Sequence, residues 1–146
     1  MKLPTVRIEE LEKLAGEFAA RLTPKEKGAT VVTLSGSLGA GKTAFAKALA
    51  REFGIEEDVT SPTFVIEKIY MPARGPFFRF IHIDAYRLNG AHDLDVLGLR
   101  ELIHESGNLV ILEWPEKVEG AIPKDALQIS LEFIDEDTRA ITYDLA

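Results

Sequence analysis

Gly36-Ser37-Leu38-Gly39-Ala40-Gly41-Lys42-Thr43 fits the pattern G-x-x-x-x-G-K-[ST] at every fixed position. Apolar, β-branched sequence precedes it from Ala29 to Leu34. Ala-rich sequence follows from Thr43 to Phe53, with Gly54 placed to end a helix. A strand, a glycine loop and a helix in this order read as a phosphate-binding loop. Gly36 and Gly41 permit backbone angles and close approach that a Cβ would block, so successive N–H groups can turn inward on phosphate oxygens. Lys42 is then placed to reach the β- and γ-phosphates, and the Thr43 hydroxyl to bind Mg²⁺. The competing reading is an ordinary Gly-rich turn between a strand and a helix.

The chain has 146 residues, which predicts one domain spanning 1–146. With 46% apolar and 28% charged residues it has the composition of a globular protein. No apolar run approaches bilayer length, Met1-Lys2-Leu3-Pro4-Thr5 leads toward a Glu-rich helix instead of a signal core, and there is no cysteine. A cytoplasmic, membrane-free protein is expected. The net charge of −7, with Lys and Arg scattered, argues against this chain gripping nucleic acid by itself. Binding a polyanion therefore requires loop amides, Lys42 and Mg²⁺ to act together, since one helix terminus contributes only about 0.3–1 kcal/mol.

Apolar residues at Leu11, Leu14, Ala15, Phe18, Ala19 and Leu22 predict an amphipathic helix over Glu9 to Leu22. Thr63 to Tyr70 and Phe77 to Ile83 read as strands joined by a Pro- and Gly-containing turn. Asp93 to His104 has helical spacing interrupted by Gly98. Leu109-Val110-Ile111-Leu112 reads as a short strand buried on both faces, and Leu127 to Ile134 with Arg139 to Leu145 as a C-terminal hairpin. The predicted architecture is α/β: a P-loop NTPase-like three-layer fold with a largely parallel central sheet, flanking helices and that hairpin.

Asp84 and Glu113 each follow a predicted strand directly, as the loop does. In open α/β sheets ligands sit beyond the carboxyl ends of strands. Asp84 is assigned to Mg²⁺, directly or through water, and Glu113 to orienting or deprotonating an attacking water, with the roles open to exchange. A turn cap at Asp84 and a surface carboxylate at Glu113 are the bland alternatives. Thr60, Ser61 and Thr63 fit either a switch sensing the γ-phosphate or a hydroxyl-rich turn capping its own backbone. His82, His92 and His104 lack metal-ligand spacing and read as structural or solvent-facing. Trp114 reads as half-buried, with a polar edge for a nucleotide or partner.

Four blocks together resemble the TsaE family of small P-loop ATPases: the loop with its Leu-Gly-Ala-Gly-Lys-Thr core, Ser61-Pro62-Thr63-Phe64, His82-Ile83-Asp84-Ala85-Tyr86-Arg87-Leu88, and Leu112-Glu113-Trp114-Pro115. The resemblance runs from about residue 5 to the end of the chain. It implies ATP and Mg²⁺ bound through Lys42 and Thr43, hydrolysis served by Asp84 and Glu113, and Thr63 in a switch-like segment. It also implies action with TsaD and TsaB in threonylcarbamoyladenosine modification of tRNA, with tRNA met only through that complex. Ser37 stands where the family usually has an acidic residue, and Ala44 where it has a second Thr or Ser able to bond the α-phosphate. One such bond is worth about 0.5–1.5 kcal/mol, up to about tenfold in affinity.

Other phosphate-loop classes fit less well. A GTPase needs an Asn-Lys-x-Asp guanine reader, which the sequence lacks, and Asp95-Val96-Leu97-Gly98 lies in a helical stretch instead of at a strand end. A small-molecule kinase needs an acceptor pocket and usually an Arg-bearing lid. A module that holds ATP without splitting it has no need of a second strand-end carboxylate such as Glu113. Weak intrinsic hydrolysis stimulated by partners is expected, since no arginine is plainly aimed at the γ-phosphate; Arg87 is the nearest internal candidate.

Overall fold

A computed structural model describes residues 2–37, 39–56, 67–96 and 98–144. Its elements run β1 (Lys2–Arg7), α1 (Leu11–Ala19), β2 (Thr30–Ser35), α2 (Lys42–Glu52), β3 (Glu67–Tyr70), β4 (Arg79–Asp84), α3 (Ala91–Val96), α4 (Leu99–His104), β5 (Asn108–Glu113), β6 (Leu127–Asp135) and β7 (Thr138–Asp144). Short 3₁₀ segments cover Ile8–Glu10 and Pro115–Ala121. The strands form one sheet in the order β1-β7-β6-β2-β5-β4-β3. β6, β2, β5 and β4 are mutually parallel, while β3, β7 and β1 add antiparallel edges.

Alternate residues of the central strands divide between two apolar layers, as the two-residue period of a strand requires. Val32, Leu34, Leu109 and Ile111 pack with Leu14, Phe18, Phe45 and Leu49 of α1 and α2. Val31, Val110 and Leu112 pack with Leu94, Leu99 and Ile103 of α3 and α4 and with Val118. The expected three layers are therefore present. β5 is buried at every position and lies between β2 and β4, so its end is held rigidly beside the loop strand.

Two expectations change in detail, and one strand is added. The helix read over Asp93–His104 is two short helices, because Gly98 adopts φ 74° at the start of α4. The helix expected from Glu9 begins at Leu11 after a 3₁₀ turn. The amino-terminal segment is an edge strand, antiparallel to β7, with a register shift between Leu3 and Val6 where Pro4 has no N–H to donate. Leu38, Thr60, Ser61, Thr63 and the strand expected from Thr63 as far as residue 66 lie outside the described residues.

Candidate functional site

The loop closes on the amino end of α2, where Gly41 precedes Lys42 in the left-handed region at φ 101°. Gly36 is required for a different reason. With φ at 142°, a Cβ there would lie 2.2 Å from the Leu131 carbonyl oxygen, so strand β6 touches the loop backbone directly. Lys42 donates from Nζ to the carbonyl oxygens of Gly36 and, at 3.1 Å, Ser37. Its ammonium stands 4.0 Å from the Trp114 ring centroid. Lys42 is only 5% exposed, and that loss of water lowers its pKa from the ordinary 10.5 against the opposing pull of Glu113, Glu116 and Asp84.

Both strand-end carboxylates reach the same place. Asp84 and Glu113 are register partners of β4 and β5, and Glu113 is also opposite Leu34 of β2. Thr43 Oγ1 donates to Glu113 Oε2 at 3.3 Å, joining the first turn of α2 to the end of β5. Asp84 Oδ1 accepts from the Tyr86 N–H at 2.9 Å, a local turn contact of the kind the capping alternative anticipated. A cavity of about 310 Å³ is lined by Gly39 to Ala44, Asp84, Tyr86, Glu113 and Trp114. The structure thus brings Gly39, Ala40, Gly41, Lys42, Thr43, Ala44, Asp84 and Glu113 together. Gly36 and Ser37 contribute carbonyls to Lys42, and Arg87 is exposed and outside the cavity lining.

Three residues matter more than their spacing suggested. His82, read as structural or solvent-facing, is fully buried with Nε2 2.5 Å from Glu113 Oε2. An ionised carboxylate can only accept, so Nε2 carries the proton, and Nδ1 has no hydrogen-bond partner among the described residues. Trp114 is half-buried as expected, but its backbone is left-handed at φ 60°, which only a surrounding that over-determines it sustains in a bulky residue. Its N–H donates to Leu34 O at 3.2 Å and its ring meets Tyr86 at 5.0 Å, so the indole forms the wall against which Lys42 lies. Arg139, on β7, donates to loop carbonyls. His82 sits on the same face as Asp84 by strand alternation, which was the available signal; Arg139 had none, since it depends on how β7 lies against a loop about 100 residues earlier.

The seven-stranded sheet with a glycine loop between β2 and α2 defines a protein of the P-loop α/β class. The chain belongs to the TsaE family: the family model described as "Threonylcarbamoyl adenosine biosynthesis protein TsaE" matches residues 5–141. The tRNA threonylcarbamoyladenosine biosynthesis protein TsaE of Bacillus subtilis is 38% identical over 143 residues, covering 98% of this chain and 84% of that protein. The protein of the same name from Rickettsia bellii is 36% identical over 132 residues, covering 90% and 85%. The crystal structure of Bacillus subtilis YdiB superposes with a TM-score of 0.74 at 35% identity, covering 98% of this chain and 83% of that one.

Proposed function

We propose that the chain, read as one domain over residues 1–146, binds ATP with Mg²⁺ and hydrolyses it slowly in support of threonylcarbamoyladenosine modification of tRNA. The observation that carries this reading is the 3.3 Å contact between Thr43 Oγ1 and Glu113 at the mouth of the loop, beside Asp84. TsaD and TsaB are the partners, tRNA is met through their complex, and the compartment is the cytoplasm. No described helix is long and apolar enough to cross a membrane.

The donors fit Mg²⁺. They are a hydroxyl and carboxylates, the hard oxygen ligands this ion prefers. Among the described residues no cluster of three or more His, Cys, Asp or Glu could hold a metal alone. That also fits an ion usually bound by one or two carboxylates plus substrate phosphates. Thr43 and Glu113 would hold it, and when bound it neutralises charge on the β- and γ-phosphate oxygens.

The Thr43 contact favours the exchanged assignment, with Glu113 on the metal side and Asp84 on the water side. The loop amides and the amino end of α2 bind phosphate. Lys42, seated on neutral carbonyls, gains better partners in phosphate oxygens. Asp84 orients a water whose oxygen bonds to the γ-phosphorus as the bond to the β–γ bridging oxygen breaks. ADP leaves with the bridging oxygen, and the water's proton passes to the Asp84 carboxylate. His82 keeps Glu113 fixed from behind, and Trp114 shields the ammonium of Lys42 from water. Titration of ATP and ADP into the chain with Mg²⁺ present tests the binding step: micromolar or tighter binding lost in Lys42→Ala supports it, and equal binding by both proteins overturns it.

A further inference from the structure

A phosphate loop works by turning peptide N–H groups toward the ligand, which obliges the carbonyls of the same peptides to face the other way. Carbonyls turned into the protein need donors of their own. Here Arg139 supplies them. Its Nε donates to Ala40 O at 3.0 Å and its Nη2 to Gly39 O at 3.3 Å, while Nη1 donates to Asp135 O at 2.7 Å and Thr138 O at 2.9 Å. All four acceptors are backbone carbonyls: two in the loop, two at the paired ends of β6 and β7. The side chain is almost fully buried, and the Phe133 ring lies 4.7 Å from its guanidinium carbon.

We infer that Arg139 is a positioning residue for the phosphate loop, holding the Gly39–Ala40 and Ala40–Gly41 peptides in the orientation that polyphosphate binding requires. The inference rests on the reading of the loop as a nucleotide site. The geometry of the fork matters as much as its charge. A planar guanidinium satisfies two successive loop carbonyls and the paired strand ends at once, which a single ammonium cannot do. The Ala40–Gly41 peptide is set directly by the Nε bond, and in a trans peptide the Gly41 N–H then points opposite the Ala40 carbonyl. Gly41 lines the candidate cavity. The preceding peptide is held twice, because the Ala40 N–H also donates to Ser37 O at 3.1 Å, closing a turn inside the loop. No group of Arg139 need touch the nucleotide. It fixes the loop from the side of β7.

The test compares wild type with Arg139→Lys and Arg139→Met, using tripolyphosphate and ATP as separate probes with Mg²⁺, all below the melting temperature of each variant. Loss of two charge-assisted bonds to the loop predicts that affinity for both probes falls about tenfold or more, and by the same factor. Arg139→Lys should recover only part, despite keeping the charge. Exchange of the Ala40 amide, read without nucleotide, should quicken about tenfold or more in Arg139→Met. Unchanged affinity and unchanged Ala40 exchange in folded Arg139→Met would overturn the role, as would full recovery by lysine. Failure of the wild type itself to bind either probe sinks the nucleotide reading instead, and the Ala40 exchange then still decides whether Arg139 orders the loop.

Discussion

Asp84 and Glu113 end adjacent parallel strands as register partners, yet they are held by different groups. Glu113 Oε2 takes hydrogen bonds from Thr43 Oγ1 at 3.3 Å and His82 Nε2 at 2.5 Å, whereas Asp84 Oδ1 takes one from the Tyr86 N–H at 2.9 Å. The pairing across β2, β5 and β4 explains this. β5 is next to the loop strand and β4 is one strand further away.

That difference separates two variants. Glu113→Gln and Asp84→Asn should each lower kcat about a hundredfold or more while ADP affinity changes little. Raising Mg²⁺ should recover part of the activity of Glu113→Gln, which weakens a ligand, and none of Asp84→Asn. Steady-state phosphate release across a Mg²⁺ titration checks this; equal rescue of both would reassign the two residues.

His82→Ala should act through Glu113. Losing a buried hydrogen bond to a charged group costs about 1.5–3 kcal/mol, which lowers Tm by several degrees. kcat should fall while nucleotide affinity holds. His82→Gln keeps a side-chain N–H donor and should restore part of both. Calorimetry and phosphate release on the two variants measure this, and Gln behaving no better than Ala would remove the hydrogen bond as the cause.

Lys42 gives a pH dependence of definite sign. Its folded pKa lies below the unfolded value of 10.5, chiefly through burial. The charged form is therefore disfavoured by folding, in full below that lowered pKa, and this penalty shrinks as pH rises from there to 10.5. Nucleotide binding runs the other way, because phosphate prefers the ammonium. Between neutrality and 10.5, affinity for ATP should fall as pH rises, beginning below the ordinary lysine range. Lys42→Met should be as stable as wild type or more so without nucleotide, and should bind none at any pH. Calorimetric titration over that range tests both statements.

Gly36→Ala meets the Leu131 carbonyl at 2.2 Å in a backbone region that L side chains rarely adopt. Overpacking of this kind costs about 1–3 kcal/mol. Among the described residues Gly39→Ala meets no atom within 4 Å, so the cost there is that of the conformation at φ 81°. Thermal melting should rank Gly36→Ala clearly below Gly39→Ala, and the reverse order would show that β6 does not confine the loop.

Local signals carried the loop, the central apolar strand ending at Glu113 and the strand ending at Asp84, because a two-residue period and a fixed motif are properties of neighbouring residues. The short strand β1 was not legible: Lys2-Leu3-Pro4-Thr5-Val6-Arg7 contains a proline, and it is a strand because β7 offers an open edge. The pairing of His82 with Glu113 was hidden for a related reason. Each residue looks ordinary in its own segment, and only the β4–β5 register puts the imidazole beside the carboxylate. Arg139 is the extreme case, a β-strand arginine whose partners are carbonyls of Gly39 and Ala40, so no pairing of side-chain types announces it.

Release of inorganic phosphate from ATP by the purified chain, alone and with TsaB and TsaD, tests hydrolysis at this site most directly. Slow release by the chain alone, acceleration when both partners are added, and loss of both rates in Glu113→Gln are the predicted results. Release that Glu113→Gln leaves unchanged, or no release in any mixture, would contradict it.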